Sequence, residues 1–559
     1  MILDARKIPQ GTVLTCDVVV VGSGPAGIPA ALRLAKGGVR VILLEAGGER
    51  YAAREQQHYA GEVADPAVHH PLDHYRVRQL GGGSNLWGGR CAPYDDIDFE
   101  RRDWVPLSGW PFGNAELSPY YAQASAHLDL GEFSYEPQEA KPFPGMDWEQ
   151  ISDRAVWRYS LPTNMRTKYQ RTLRASQAIQ TMLHASCLEL RTSDGGGSVA
   201  EAVVGTEPGK TISVRAKCFV LACGAIETAR LLLVSHDRHP NGIGNTHDQV
   251  GRHYQSHLYG SLAMIAYRGD PRAVRHGFDR SRDGVYVQHM LKPEAAVQRD
   301  RRLLNFCAVL ANGDFNDPSH GSGVLSSMFL AKWLMSRRLP VELAGRGLEQ
   351  KHRVAVSGTS ATAAHLWNVV RDAPSVAAFS WDWLTKRILS ARKLPGVSCY
   401  SPKGEYRLLY SAEQTPNPDS RITLAQSKDA FGYNRARADW RYSGADIDSI
   451  VANHAVIAQD AARASNGLLD CTIDTDIAAG ARAAANVGSH HIGTARISTD
   501  PKRGVVDAHC RVHGIANLYV AGSATFPTSS CMSVTLLITA MALRVADTVT
   551  GRLAARHMS

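Results

Sequence analysis

The pattern of hydrophobic positions is clearest near the amino terminus. Val18-Val19-Val20-Val21 is an unbroken β-branched run, which predicts a strand buried on both faces rather than one with alternating faces. Apolar positions recur at helical spacing over residues 28–36, and a second apolar run over 39–44 ends in Glu45. Strand, helix and strand in this order predict a βαβ unit of parallel sheet. Later runs predict further strands at 187–190, 214–222 and 518–521, with Gly195-Gly196-Gly197 as a turn. The longest apolar stretch, residues 324–339, is interrupted by Lys332, Arg337 and Arg338 and falls short of the roughly 18 apolar residues of a membrane span. Trp367, Trp381 and Trp383 are read as core residues, with stacking on a sugar face as the alternative.

The turn between the first strand and its helix reads Gly22-Ser23-Gly24-Pro25-Ala26-Gly27, a G-x-G-x-x-G fingerprint. Gly22 permits the tight turn, Gly24 lets backbone approach a pyrophosphate, and Gly27 lets helix and strand pack closely. The helix amino terminus adds amide donors and a positive dipole for the phosphates. Glu45, followed by Ala46, stands where an acid accepts hydrogen bonds from both ribose hydroxyls and repels a 2′-phosphate, which argues against NADP. A second glycine-rich run, Gly81-Gly82-Gly83-Ser84-Asn85-Leu86-Trp87-Gly88-Gly89-Arg90, is too flexible for a helix or central strand. It predicts a loop whose amides, at Gly81, Gly83, Ser84, Asn85, Leu86 and Trp87, lie close to something flat or anionic.

Composition narrows the classes further. The 559 residues are 44% hydrophobic and 21% charged, ordinary globular material with length for a large core. A net charge of +9 with scattered Arg and no basic block argues against nucleic-acid binding. Asp4 and Arg6 stand where a secretory leader needs an apolar core. The ten cysteines are dispersed without metal-ligand spacing, so no metal site is expected and a reducing cytoplasm fits.

Several motifs, in order, resemble the glucose-methanol-choline (GMC) oxidoreductase family. They are the fingerprint at Gly22, the loop from Leu80 to Arg90, and Leu221-Ala222-Cys223-Gly224-Ala225-Ile226-Glu227-Thr228-Ala229-Arg230. Val250-Gly251-Arg252-His253 and Pro416-Asn417-Pro418-Asp419-Ser420-Arg421-Ile422 follow. Two carboxy-terminal runs complete the set: Gly488-Ser489-His490-His491-Ile492-Gly493-Thr494-Ala495-Arg496 and Phe526-Pro527-Thr528-Ser529-Ser530-Cys531-Met532-Ser533-Val534-Thr535. The first of these, Ser489 to Arg496, looks closest to a bacterial branch related to sugar-oxidising members.

The resemblance implies an α/β fold: a Rossmann-like FAD-binding domain assembled from residues 1–50, 180–255 and 485–559, and an α+β substrate domain over 256–484 whose sheet covers the flavin. Residues 51–179 would supply the FAD-covering loop and a lid. It further implies backbone contacts to adenine at Cys187, places Gly522 and Ser523 near the flavin's phosphate or ribityl chain, and makes Ala222, Val534 and Thr535 cofactor-binding positions. Leu86 occupies the place where some members carry an FAD-attaching histidine, which implies noncovalent FAD.

Alcohol oxidation by flavin requires a base for the hydroxyl proton and N5 to accept hydride. Histidine, with an ordinary pKa of about 6.5, suits the base. The family's base stands three residues before the glycine of a Gly-Thr pair, which selects His490; His491 would point elsewhere on an extended segment. The family's second position, usually His or Asn, falls on Ser533, whose hydroxyl is shorter and lacks an amide's donor pair. Either Ser533 orients the substrate itself, or a residue of the substrate domain has taken over, or the redox chemistry is altered. His253 and His257 are read as packing and loop residues, with lining of the pocket as the alternative. The implied activity is oxidation of an alcohol, a secondary hydroxyl of a sugar or glycoside, with oxygen, a quinone or a partner protein as electron acceptor. The alternative is a flavin-containing lyase of the same family, in which His490 performs acid-base chemistry and FAD is structural.

Overall fold

The valine run lies in the strand Val13–Val21, whose last four residues are buried. The computed structural model describes residues 1–135, 141–336 and 359–558; Arg337 and Arg338 lie outside these. Parallel neighbours follow in the order Ile2–Asp4, Ile179–Leu183, Val41–Leu44, Val13–Val21 and Lys210–Leu221. The long strand Lys210–Leu221 divides its other edge. Its first half pairs antiparallel with Val199–Glu207, which pairs in turn with Ser186–Thr192. Its last three residues pair in parallel with Leu518–Val520.

Register then brings distant pieces of chain together. Leu44 is aligned with Val21, Val21 with Leu221, and Leu221 with Val520. Glu45, Gly22, Ala222 and Ala521 therefore leave the sheet side by side, at the carboxyl ends of adjacent parallel strands, where ligands bind in sheets of this kind. Two helices pack across this edge, Gly27–Lys36 and the carboxy-terminal Thr535–Met558. Thr539 Oγ1 ties the second to the glycine loop by donating to the Pro25 carbonyl at 3.1 Å.

A second, antiparallel sheet faces this edge. Its order is Leu469–Ile473, Leu258–Tyr267, Glu405–Ala412, Phe306–Ala311, Tyr286–Pro293, Ile151–Tyr159 and Arg90–Cys91. Helix Gly444–Ala464 covers it, started by a capping box between Ser443 and Asp446 and burying Ile447, Ile450, Val456 and Ile457. Residues 51–179 thus contribute strands to this sheet as well as the glycine-rich loop, which closes into a short 3-10 turn at Gly82–Asn85. Glu62–Val63 joins Arg421–Lys428 and Asn434–Asp439 in a small third sheet.

Phe306–Ala311 and Glu405–Ala412 are direct sheet neighbours, yet the described residues between them include the helices Gly323–Ser336, Thr359–Arg371 and Ala373–Asp382, the last continuing into a wider turn at Trp383–Ile388. These enclose a small core of their own around Val324, Leu325 and Cys399, separate from the main one. The core reading of the tryptophans is corrected here. Trp367 is 63% and Trp381 67% exposed, because both stand on the outward faces of these added helices; Trp383 is half-buried against Phe379. Among the described residues no helix is long and apolar enough to cross a membrane, and no group of His, Cys, Asp and Glu could hold a metal ion.

Candidate active site

The glycine loop forms a cradle walled by backbone. Gly22 has φ +101°, and a Cβ there would lie 2.6 Å from the Ala222 carbonyl oxygen; one at Gly27 would lie 1.7 Å from that of Gly22. No other residue fits either position. Gly24 faces Gly82, where a Cβ would come within 2.9 Å of the Gly24 Cα, so the two glycine loops meet surface to surface. The Gly81 amide donates to Ser23 Oγ at 3.1 Å and fixes that meeting. Glu45 is buried; Oε2 accepts from the Ser23 amide at 3.3 Å and from its hydroxyl, and Oε1 from the Gly47 amide at 2.8 Å. Ala46, half-buried, lies between.

The second loop is held by its own side chains. Ser84 Oγ donates to the Gly81 carbonyl and accepts from the Met165 amide, Asn85 Nδ2 bridges the Leu80 and Gly82 carbonyls, and Trp87 Nε1 donates to the Thr163 carbonyl at 2.7 Å. Gly83 has open space around it and Leu86 is 45% exposed. What the loop can offer a ligand is therefore its backbone. Ala222 continues its strand, its amide donating a hydrogen bond to the Val21 carbonyl at 2.8 Å, and Cys187 lies half-buried at the start of Ser186–Thr192. Ser523 Oγ donates to the His491 carbonyl at 2.7 Å, Gly522 has φ +118°, and buried Val534 leads into Thr535 at the helix start. A backbone-walled loop, two helix amino termini and a buried acid match the needs of a dinucleotide's phosphates and ribose.

The histidine run is laced on both sides. Gln255 and Ile492 exchange backbone bonds at 3.0 and 3.1 Å, while Gly493 and Ala495 donate to the Ser523 and Ala524 carbonyls at 3.0 and 2.7 Å. Adjacent side chains diverge on this extended segment. His491 joins a pocket lined by His69, His70, Tyr75 and Ile226, where burial holds its pKa well below the ordinary value. His490 turns to the antiparallel sheet. Its Nδ1 lies 2.9 Å from His257 Nδ1 and 3.1 Å from the Tyr259 hydroxyl, which is 3.1 Å from His257 Nδ1.

These contacts determine a tautomer. His257 Nε2 lies 2.9 Å from the Ser529 carbonyl, an acceptor only, so Nε2 carries a hydrogen. Burial pushes the His257 pKa down to about 4, so the ring is neutral near pH 7 and its Nδ1 bears a lone pair. Two bare ring nitrogens at 2.9 Å would repel, so the hydrogen between them is assigned to His490 Nδ1. His257, read from the sequence as packing or loop with pocket lining as the alternative, lies in direct contact with His490.

The serine run arrives from the other side. Tyr94 holds the Ser529 carbonyl at 2.6 Å and Ser411 holds that of Cys531 at 2.8 Å. Ser533 is 3% exposed, and its Oγ accepts from Arg90 Nε at 3.1 Å. The Arg90 guanidinium lies 3.8 Å above the Trp157 ring, a cation–π contact that holds it flat, and it also reaches the Tyr259 hydroxyl. His490, His257, Tyr259, Arg90 and Ser533 thus form one connected group. Arg90 and Tyr259 escaped the sequence reading. The available signal was an arginine closing the glycine-rich loop in a chain whose second catalytic position lacks its usual donor.

Comparison with known proteins agrees with this architecture. Residues 17–297 match the model of FAD dependent oxidoreductases, and residues 416–542 that of GMC oxidoreductases. The chain belongs to the GMC family of FAD-dependent oxidoreductases. It is 24% identical to the 6'''-hydroxyparomomycin C oxidase of Streptomyces lividus, over 96% of this chain and 92% of that protein. To the paromamine 6'-oxidase of Streptomyces fradiae it is 25% identical, over 97% and 92%. The solved pyridoxine 4-oxidase of Mesorbium loti shares the fold with a TM-score of 0.50 at 18% identity, covering 95% of this chain and 99% of that one.

Proposed function

We propose that the protein oxidises a secondary hydroxyl of a sugar or glycoside to a carbonyl, using noncovalently held FAD. When bound, FAD supplies the two-electron acceptor for the hydrogen of the carbinol carbon. In this reading the amides of Gly24, Ala26 and Gly27 receive the pyrophosphate in the turn shaped by Gly22, Ser23 and Pro25, and Glu45 with Ala46 receives the ribose. The Gly22 and Ser23 amides are engaged by the Leu44 carbonyl and Glu45. Cys187 and Ala222 lie toward adenine. The backbone of Gly81, Gly83, Ser84, Asn85, Leu86 and Trp87, with Gly522, Ser523, Val534 and Thr535, borders the flavin, and Leu86 offers no atom for covalent attachment.

One observation carries the chemistry: the 2.9 Å contact of His490 Nδ1 with His257 Nδ1, from which we assign the hydrogen to Nδ1 and the base's lone pair to Nε2. Nε2 accepts the hydroxyl proton as the carbon–hydrogen bond breaks. Ser533 Oγ already accepts from Arg90, so its own hydrogen is turned toward a substrate oxygen and polarised by the cation behind it. Arg90 and Ser533 together replace the amide or imidazole that the family usually places here. The relatives named for paromomycin-type compounds support a sugar-like substrate. A guanidinium at the reacting end favours neutral or acidic sugars over those with an ammonium beside the reacting carbon.

The test is anaerobic bleaching of the flavin by a panel of neutral sugars, sugar acids and aminoglycosides, followed by readmission of oxygen or a quinone. Bleaching by neutral or acidic sugars is expected. A flavin that stays yellow with every alcohol, while the protein releases a carbonyl compound from an adduct, would replace this reading with the lyase one.

A further inference from the structure

The helices inserted between Phe306–Ala311 and Glu405–Ala412 are built inside out. On Thr359–Arg371 the inward positions are polar: His365 and Asn368 are buried, His365 Nδ1 lies 3.0 Å from Ser326 Oγ, and Asn368 Nδ2 donates to the Pro318 carbonyl at 2.8 Å. The outward positions are apolar: Leu366, Trp367 and Val370 are 53, 63 and 68% exposed. The following helix is apolar on two sides. Val376 and Phe379 pack into the small core, with Trp383 stacked on Phe379. Trp381, Leu384, Ile388 and Leu389 recur at helical spacing on the other side and are 67, 39, 59 and 71% exposed. Soluble surfaces scatter large apolar side chains singly; here they are concentrated on two consecutive helices.

Charge identifies what this face meets. The described residues of 323–393 contain six Lys and Arg against two Asp and Glu, a net +4. Among the described residues, Lys332, Arg371, Lys386, Arg387, Arg392 and Lys393 oppose Asp372 and Asp382. Both acids are engaged locally, Asp372 by the Gly323 amide at 2.8 Å and Asp382 by Lys386 at 2.7 Å. Docking a second copy of this face would set like charge against like charge. An apolar face bearing two tryptophans within a cationic surround instead has the composition of an interfacial lipid-binding element. The helices are anchored to the rest of the molecule, since Arg392 donates to the Tyr159 and Asp129 carbonyls, each at 3.1 Å. Tyr159 ends the strand that pairs with Arg90–Cys91, so the attachment point adjoins the candidate active site.

We infer that the outward faces of Thr359–Arg371 and Ala373–Ile388, ending at Leu389, seat this protein peripherally on an anionic lipid surface. The test is co-sedimentation of the full-length flavin-loaded protein with mixed phosphatidylserine–phosphatidylcholine vesicles and with pure phosphatidylcholine vesicles. Binding to the mixed vesicles, weakened by salt and at least about tenfold weaker on the neutral ones, is expected. The exposed-residue variant Trp367→Ser, Trp381→Ser, Leu389→Ser should lose at least about tenfold in vesicle binding, with flavin content, thermal midpoint and turnover unchanged. The charge variant Lys386→Glu, Lys393→Glu should weaken binding to the mixed vesicles while leaving the protein folded. Absence of binding, or binding that survives both variants, overturns the inference. So does sedimentation showing a dimer that the tryptophan variant dissociates, which would make the face a contact between copies.

Discussion

His490 and Ser533 stand on separate straps and are equipped in opposite ways. The histidine arm carries its own reactive group, and its surroundings only set that group's protonation: His257, fixed by the Ser529 carbonyl, determines which His490 nitrogen holds the hydrogen. The serine arm carries a weak donor, and its surroundings supply the strength, since Arg90 brings a full positive charge to Ser533 Oγ at 3.1 Å. In the proposed function, one arm keeps its functional group and tunes it, while the other replaces the functional group with a two-residue assembly. If this contrast is correct, removing the primary residue should be worst on the first arm, and removing the supporting residue should be worst on the second.

The largest expected effect is at His490. His490→Ala removes the base, and general-base catalysis is worth roughly 10²- to 10⁴-fold, so anaerobic flavin reduction should slow by at least about a thousandfold with the absorbance spectrum of the bound flavin intact. Reduction at the original rate would transfer the proton to another group and dissolve the contrast.

Arg90 comes next. Losing one oriented donor at a developing oxyanion typically costs on the order of 10²- to 10³-fold. Arg90→Ala should approach this in flavin reduction, and Arg90→Lys should recover only part, since a lysine loses the planar stacking on Trp157 and the reach to both Ser533 and Tyr259. Ser533→Ala should cost less than Arg90→Ala. The reverse order would show that the hydroxyl acts alone and that the arginine only packs.

How much of this could be read from the chain depends on how far apart the partners lie. Val18 to Glu45 encode their parallel unit locally, and the glycines at 22, 24 and 27 state their own backbone requirement, so the nucleotide edge of the fold was legible. The antiparallel sheet was legible only as an implication of resemblance, because its strands are drawn from 90 to 473 and their order follows no sequence rule. Ser533 was visible as a departure, but its remedy was not: Arg90 lies 443 positions away and becomes a partner only through folding. His257 looked like packing because the carbonyl that fixes its tautomer is 272 positions away. Trp367 and Trp381 depart from the core expectation because the usual burial of tryptophan is a residue-type tendency that does not say what covers a given helix face.

The smallest and most diagnostic effect is expected at His257. It touches no reacting atom in this reading and acts by positioning, so His257→Leu should lower flavin reduction only about tenfold, with Tyr259 still able to receive the His490 hydrogen. Its signature is in pH. The folded pKa of His257 is about 4 and the unfolded value about 6.5, so between them the unfolded chain binds the extra proton. This contribution to stability is complete above the unfolded pKa and is lost as pH falls toward 4, with a slope of at most about 1.4 kcal/mol per pH unit. His69 and His253, lowered by burial to about 4 and about 3, add losses of the same sign that the substitution leaves in place. The thermal midpoint of His257→Leu should therefore fall less steeply than the wild type's between about pH 6.5 and pH 4, even if it starts lower at neutral pH because the Ser529 carbonyl has lost its donor. In the wild type, protonation of His257 would set an N–H against the His490 N–H, so the acid limb of flavin reduction should also change shape in the variant. Parallel stability curves together with an unchanged acid limb would mean that His257 is packing after all, and that the tautomer of His490 is set by Tyr259 alone.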